Sequence, residues 1–99
     1  MQRLLDLRMK DGVRHFGSLP FSRSWESVRD HVQQLDGARL SGFLTDGVTE
    51  AWIDFELEGH RFSINNQLGE FWFFVADPSC PELLLRVVLA HFAGLLGAA

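Results

Sequence analysis

Two stretches of alternating apolar and polar residues meet at Glu58 and Gly59, near the middle of the chain. In residues 51–57 the odd positions hold Ala, Ile, Phe and Leu, and the even positions hold Trp, Asp and Glu. The alternation resumes in residues 60–65. A period of two is typical of a strand with one buried face, and a glycine at the second turn position suits a two-residue hairpin. The pattern therefore predicts two antiparallel strands joined at this turn.

The turn also predicts which residues lie opposite each other. Closing the hairpin at Glu58-Gly59 sets Phe55 against Phe62, and a one-residue slip would turn the apolar side chains outward. A two-residue turn at Asp46-Gly47 and a four-residue loop at 66–69 extend the sheet on both sides. The other predicted pairs are Glu56 with Arg61, Asp54 with Ser63, Leu40 with Ile53, Gly42 with Ala51, Arg39 with Asp54, Phe71 with Ile64, Phe73 with Phe62, Trp72 with Ser63 and Phe74 with Arg61.

The first third of the chain predicts a strand followed by a helix. Residues 5–9 alternate before the Asp11-Gly12 turn, which predicts a first strand or hairpin, and the pattern breaks at residues 17–20. A serine, Ser22 or Ser24, then caps an amphipathic helix that Gly37 stops.

With the later strands and a last helix, the chain predicts an α+β fold. The expected architecture is a single two-layer domain over residues 1–99, a four- or five-stranded antiparallel meander sheet with two helices on one face, in the order β-α-β-β-β-β-α.

The last helix is more apolar around its circumference than packing on one sheet face requires. It is expected to begin at Pro81, with Ser79 or Cys80 as its cap. Its less bulky side would allow a second helix to approach closely, which predicts a homo-oligomer. The alternative is that the first helix and the N-terminal strand complete its burial within one molecule. The residues of the candidate self-association helix are Val87, Ala90, Ala93 and Gly94.

Composition and charge exclude several classes of function. The net charge of −4 and the lack of a run of Lys or Arg argue against nucleic-acid binding. The single cysteine, Cys80, cannot form an internal disulfide, and residues 1–10 do not resemble a signal peptide. The apolar stretch 83–96 is too short to span a membrane. A cytoplasmic protein without membrane association is expected.

The polar face of the sheet carries an unusual number of aromatic residues. Such residues indicate a surface for a protein partner or a small apolar ligand, with polar neighbours that orient it. The alternative is that the N-terminal segment or aliphatic side chains cover the rings. The candidate binding surface consists of Trp52, Trp72, Phe74, Arg61, Asp54 and Asn65, and Phe43 is a further candidate.

No residue pattern in the chain is typical of catalysis. The four histidines lack the spacing of zinc ligands, and no phosphate-binding loop or nucleophile motif is present, so neither a metal nor a cofactor is predicted. These observations favour a noncatalytic interaction or accessory domain that self-associates. The alternative is a small enzyme or ligand-binding protein with a pocket at the edge of the sheet, where His60, Asp54 and Arg61 are the candidate polar groups.

Overall fold

A six-stranded antiparallel sheet with two helices forms the fold in the computed structural model, which describes residues 4–97. The predicted α+β class is confirmed, although the sheet has six strands instead of four or five. The elements in chain order are β1 Leu7–Arg8, β2 Arg14–Pro20, α1 Trp25–Val32, β3 Arg39–Thr45, β4 Ala51–Leu57, β5 His60–Gln67, β6 Glu70–Val75 and α2 Glu82–Leu96.

The spatial order of the strands is β1-β2-β6-β5-β4-β3. Strands β3 to β6 form the predicted meander, and the N-terminal hairpin of β1 and β2 adds to its far side against β6. Both helices lie on one face of the sheet, where they bury Phe55, Phe62 and Phe73. We call this face the inner face and the opposite one the outer face. The inner face therefore lies in the core, and neither helix covers the outer face.

The hairpin between β4 and β5 has the predicted register. Phe55 pairs with Phe62, Asp54 with Ser63 and Glu56 with Arg61. Its turn residues, Glu58 and Gly59, have φ values of 51° and 79°. Two consecutive positive values of φ mark the type I′ turn whose twist matches that of the strands.

The predicted register between β3 and β4 is wrong. Leu40 pairs with Phe55 and Arg39 with Glu56, while Gly42 faces Asp54 beyond a bulge. The two-residue turn fails because the carboxylate of Asp46 accepts hydrogen bonds from three backbone N–H groups and so holds a longer loop. Their donors are Val48, Thr49 and Glu50, at 2.9, 2.8 and 3.0 Å.

The bulge in β3 also changes which side chains reach the core. An extra residue at Ser41 lets both Leu40 and Phe43 face inward, where they pack against the core. Phe43 lies under the guanidinium of Arg29, whose Cζ is 4.9 Å from the ring centroid. Phe43 is therefore not part of the outer face, contrary to the sequence prediction.

The predicted register between β5 and β6 is wrong by two residues. Phe73 pairs with Ile64 and Trp72 with Asn65, since Leu68 and Gly69 form a two-residue turn in place of a four-residue loop. Leu68 and Gly69 have φ values of 52° and 79°. Because side chains alternate with a period of two, the shift leaves each residue on its predicted face.

Residues 17–20 continue β2 instead of ending it. A bulge between His15 and Gly17 interrupts the pairing with β6, which then resumes from Gly17 to Pro20. Proline is tolerated here because Pro20 lies beyond the residues that pair with β1, so this end of β2 has a partner strand on one side only. Gly17 fits closely beneath Leu89 of α2, because a Cβ at Gly17 would lie 2.5 Å from a Leu89 methyl carbon.

The helix ends agree with the prediction in part. Ser24 caps α1 by accepting the N–H of Ser27, and α1 ends at Val32 instead of continuing to Gly37. Neither Ser79 nor Cys80 is the N-cap of α2, which is Pro81. The hydroxyl of Ser79 donates to Asp77 at 2.7 Å, so it closes the preceding turn instead. Neither helix that the structure describes is long and apolar enough to cross a membrane.

Candidate functional site

Two tryptophans stand on the outer face with a buried asparagine between them. Trp52 on β4 pairs with Asn65 on β5, and Asn65 pairs with Trp72 on β6. Neighbouring strands lie about 4.8 Å apart, so the backbones of the two tryptophans are separated by roughly 10 Å. Asn65 is fully buried, whereas both tryptophans are partly exposed. The indoles of Trp52 and Trp72 therefore stand on either side of a gap above Asn65.

Aromatic rings from the N-terminal hairpin and β6 close one end of this gap. The ring of His15 stacks on Trp72 with centroids 4.6 Å apart, and it lies 5.1 Å from Phe74. Phe74 in turn lies 5.9 Å from Trp52. Phe74 is nearly buried although it is on the outer face. The four rings form a connected aromatic wall from β2 to β4.

The hairpin residues 9–13 border a cavity of about 470 Å³ over this wall. We call this cavity the outer pocket. Its size falls within the usual range for small-molecule sites, roughly 300–1,000 Å³. The lining is mostly apolar, and its polar members lie at the hairpin tip and on β5. The lining consists of Trp52, Trp72, Phe74, Met9 and Val13, with Lys10, Asp11, Ser63 and Gln67.

A second cavity, of about 380 Å³, adjoins the outer pocket and is polar. We call it the polar groove. The two cavities share Val13, Ser63 and Phe74. The charged residues of the groove are Asp54, Glu56 and Arg61. Apolar and charged surfaces therefore meet on one continuous stretch of the outer face.

The hydrogen bonds of the polar groove leave two charged groups without a full set of partners. Glu56 accepts a 2.7 Å hydrogen bond from Arg39, which forms an ion pair with it. Among the described residues, Asp54 accepts only the hydroxyl of Ser63, at 2.7 Å. The side chain of Arg61 makes no ion pair or hydrogen bond to residues 4–97. The expected ion pair between Arg39 and Asp54 does not form, because the register puts Arg39 opposite Glu56.

Asn65 and its neighbour Asn66 support the loop before β4. The amide nitrogen of Asn65 donates to the carbonyl oxygen of Ala51 at 2.8 Å, and its oxygen accepts from Gln67 at 2.6 Å. Asn66 accepts the N–H of Ala51 and donates to Thr49. The predicted turn at Asn66 does not form, because both asparagines are in β5. Asn65 thus lies between the two tryptophans without lining the outer pocket, and its amide is already engaged within the protein.

His15 is a site residue that the sequence analysis did not identify. Its Nε2 lies 3.0 Å from the carbonyl oxygen of Gly17, which fixes the proton on that nitrogen. Its Nδ1 is buried and has no hydrogen-bond partner among the described residues. Burial lowers the pKa of His15, although the bond to Gly17 and the charge of Glu70 oppose this. The imidazole is therefore neutral, and its ring packs against Trp72 much as an apolar ring would.

The candidate catalytic residues do not converge. His60 lies at the start of β5 on the inner-face parity, where it borders a shallow cavity beside α2. Asp54 and Arg61 border the polar groove on the other side of the sheet. The sheet thus separates the imidazole from the two charged groups. Within residues 4–97 no three His, Cys, Asp or Glu side chains form a group that could hold a metal ion.

Cys80 is nearly buried, and its environment favours the thiol over the thiolate. Burial raises the pKa of Cys80, and the charge of Asp77 acts in the same direction. The Sγ atom contacts the carbonyl oxygen of Pro81 at 3.9 Å. A protonated, buried thiol is a poor nucleophile. Cys80 therefore behaves as a core residue.

The candidate self-association helix leaves one apolar stripe uncovered. Leu83 is 76% exposed and Val87 is 44% exposed, and Ala90 and Gly94 lie on the same side of α2. The spacing of these residues follows the helical period and places them in one row. Ala93 is only partly exposed and packs against the core. The alternative was that the first helix and the N-terminal strand complete the burial of α2 within one molecule, but this row stays exposed.

Comparison of the chain with protein-family models, with curated proteins and with solved structures found no match. The functional argument therefore depends on the geometry of the outer face and of α2.

Proposed function

We propose that this protein is a noncatalytic binding domain whose outer pocket takes up a flat apolar group of a small ligand. The observation that carries the proposal is the cavity of about 470 Å³ between the partly exposed indoles of Trp52 and Trp72. Flat rings stack favourably on indoles, and burial of apolar surface contributes about 25 cal/mol per Å². A cavity of this size fits a small molecule or a single side chain better than a whole protein surface.

The chemistry of the lining supports binding more than catalysis. The ionisable side chains bordering the outer pocket are Lys10 and Asp11, which lie at the exposed tip of the hairpin. General acid–base catalysis requires a group within hydrogen-bond reach of the reacting atom, with a pKa near the working pH. His15 is the nearest imidazole, but it lies behind Trp72 and uses its Nε2 to bond Gly17.

Binding of N-phenyl-1-naphthylamine, a neutral flat aromatic compound, tests the proposal. In a Trp25→Phe background the remaining indoles are Trp52 and Trp72, so quenching of their fluorescence reports occupancy of the outer pocket. We expect saturable binding that Trp72→Ala weakens about tenfold or more, as is typical for loss of a stacking ring. Met9→Glu changes the pocket border without touching the core and should weaken binding as well.

The control is Leu83→Ser, which removes an exposed apolar residue from α2, outside the outer pocket, and should leave the affinity unchanged. Circular dichroism of each variant separates loss of binding from loss of folding. Saturable binding that is the same in Trp72→Ala, Met9→Glu and the parent would refute the outer pocket as the site.

We also propose that α2 mediates self-association with a second copy of this chain. The exposed row of Leu83, Val87, Ala90 and Gly94 contains no charged side chain, and its two small residues allow two helices to approach closely. Sedimentation across a concentration range should show a dimer that Val87→Glu disrupts. Leu44→Glu, which makes the same kind of charge change at an exposed apolar position on β3, is the control. A monomer at every concentration would contradict this proposal.

We propose a reducing compartment, with the cytoplasm as the expected one. In support, the only cysteine of the sequence is a free, buried thiol, so the fold contains no internal disulfide that would need an oxidising compartment. The net charge of −4 likewise favours partners other than nucleic acid. Cell fractionation of the tagged full chain tests the location, and recovery in an oxidising compartment would contradict it.

A further inference from the structure

We propose that the ligand of the outer face is an aromatic α-amino acid, whose ring enters the outer pocket while its ammonium and carboxylate groups occupy the polar groove. This inference rests on the proposed function, because it assigns the chemical class of the ligand for the same site. A purely apolar ligand would leave the polar groove unused, whereas an amino acid would occupy it.

The two cavities lie close enough to hold one amino acid. They share the lining residues Val13, Ser63 and Phe74, so a ligand that lies over these residues would reach both cavities. Along a strand each pair of residues advances about 7 Å. Asp54 therefore lies one step from the row of Trp52 and Trp72, and Arg61 lies two steps away. An aromatic amino acid is of similar length to the first step, and an arginine side chain is long enough to cover the second.

The charges of the groove match a zwitterion. Glu56 is already paired with Arg39 at 2.7 Å, which leaves Asp54 and Arg61 as the acid and base of the groove that form no ion pair with residues 4–97. Asp54 uses Oδ1 to accept from Ser63, and its Oδ2 has no hydrogen bond from the described residues. An ammonium group can donate to Oδ2 while a carboxylate accepts from the guanidinium of Arg61.

Ligands with only one of the two charges fit less well. A simple aromatic carboxylate would bind Arg61 but would bring its negative charge close to Asp54. A simple aromatic amine would bind Asp54 but would leave the Arg61 guanidinium beside it unneutralised. Like charges at such separations cost affinity, whereas a zwitterion satisfies both groups. The structure thus predicts that both charged groups of the ligand contribute.

A set of four indole compounds tests this assignment: L-tryptophan, tryptamine, 3-(indol-3-yl)propionate and indole. Their affinities are measured by displacement of N-phenyl-1-naphthylamine and by titration calorimetry on the full chain. We expect L-tryptophan to bind tightest, by about tenfold or more over each of the others, because each charge-assisted hydrogen bond contributes about that factor.

Two variants assign the charges to residues. Asp54→Asn keeps an acceptor for Ser63 and removes the charge, so it should reduce the affinity for L-tryptophan and tryptamine about tenfold and leave 3-(indol-3-yl)propionate unaffected or improved. Arg61→Gln should reduce the affinity for L-tryptophan and 3-(indol-3-yl)propionate to a similar extent. Arg23→Gln makes the same charge change on an exposed loop outside the groove and should change none of them.

The outcomes distinguish this inference from the proposed function. Equal binding of all four compounds, unaffected by Asp54→Asn and Arg61→Gln, would overturn the amino-acid assignment while leaving the aromatic pocket in place. Tighter binding of tryptamine or of the propionate than of L-tryptophan would overturn it too. Failure of N-phenyl-1-naphthylamine and all four compounds to bind would overturn both.

Discussion

His31 on α1 and His91 on α2 stack with ring centroids 3.9 Å apart and exchange hydrogen bonds. The Nε2 of His31 lies 2.9 Å from the carbonyl oxygen of His91, and the Nε2 of His91 lies 2.7 Å from the carbonyl oxygen of His31. A carbonyl oxygen can only accept, so both Nε2 atoms carry the proton. The pair joins the two helices above the inner face, and a positive charge on either ring would lie against the other.

The histidine pair predicts that stability falls on mild acidification. Burial lowers the pKa of His91, the charge of His31 lowers it further, and the hydrogen bond to His31 opposes both. The unfolded chain, with a histidine pKa of about 6.5, therefore binds protons at a pH where folded His91 does not. Stability is fully present above that pH and is lost as the pH falls toward the folded pKa. Urea midpoints should fall between about pH 7.5 and pH 5.5.

His91→Gln isolates this contribution. Glutamine can still donate to the carbonyl of His31 but does not titrate, so the variant should lose less stability between the two pH values than the parent does. His15, whose pKa is also lowered by burial, keeps part of the dependence. His60→Gln removes a histidine outside the pair and is the control. An unchanged pH dependence in His91→Gln would contradict the prediction.

Gly17 and Gly94 predict opposite effects of the same substitution. A Cβ at Gly17 would lie 2.5 Å from one Leu89 methyl carbon and 2.7 Å from the other, and Leu89 is fully buried. Overpacking of this kind costs about 1–3 kcal/mol. We expect Gly17→Ala to lower the free energy of unfolding by about this amount, measured by urea denaturation.

Gly94→Ala is the matched control, because nothing lies within 4 Å of a Cβ at this position on α2. Alanine favours a helix over glycine by about 0.5–1 kcal/mol, so this variant should be more stable than the parent. Equal effects of the two substitutions would show that the contact between Gly17 and Leu89 is not tight.

The carboxylate of Asp46 holds the loop between β3 and β4 in a single conformation. Its carboxylate accepts three backbone N–H groups and the hydroxyl of Thr49, and these bonds hold the pKa of Asp46 well below its usual range. Asp46→Ala should therefore speed hydrogen exchange of the loop amides and lower stability. Asp46→Asn keeps one acceptor and should have a smaller effect. Unchanged exchange in Asp46→Ala would contradict this role.

Much of the sheet was predictable because alternation determines which face each strand residue occupies. The hairpin at Glu58 was predicted in full, and the error of two residues at Leu68 changed no face. The wrong register between β3 and β4 came from two local features that the alternation of apolar and polar residues does not reveal. The carboxylate of Asp46 lengthens a loop, and the bulge at Ser41 turns Phe43 inward.

The candidate site was only partly predictable, since its walls come from distant parts of the chain. The alternation placed Trp52, Trp72 and Phe74 on the outer face. It did not reveal that the N-terminal hairpin pairs with β6, because neither strand contains a signal for that partner. The stacking of His15 on Trp72 and the position of Met9 at the pocket border depend on this pairing. The aromatic surface was therefore predicted without the cavity over it.

The turn at Leu68 and Gly69 predicts a stabilising substitution. Leu68 has a φ of 52°, a left-handed conformation that costs a residue with a branched apolar side chain about 1 kcal/mol. Its side chain is 89% exposed, so little packing offsets that cost. Asparagine adopts this conformation readily, and Asn-Gly is the preferred pair for such a turn. Leu68→Asn should raise the free energy of unfolding by about 0.5–1 kcal/mol, measured by urea denaturation. Leu44→Asn, at another exposed leucine, within β3, is the control and should lower stability, because asparagine is disfavoured in strands. A similar change in both variants would indicate that exposure of the leucine, and not the backbone conformation of the turn, determines the effect.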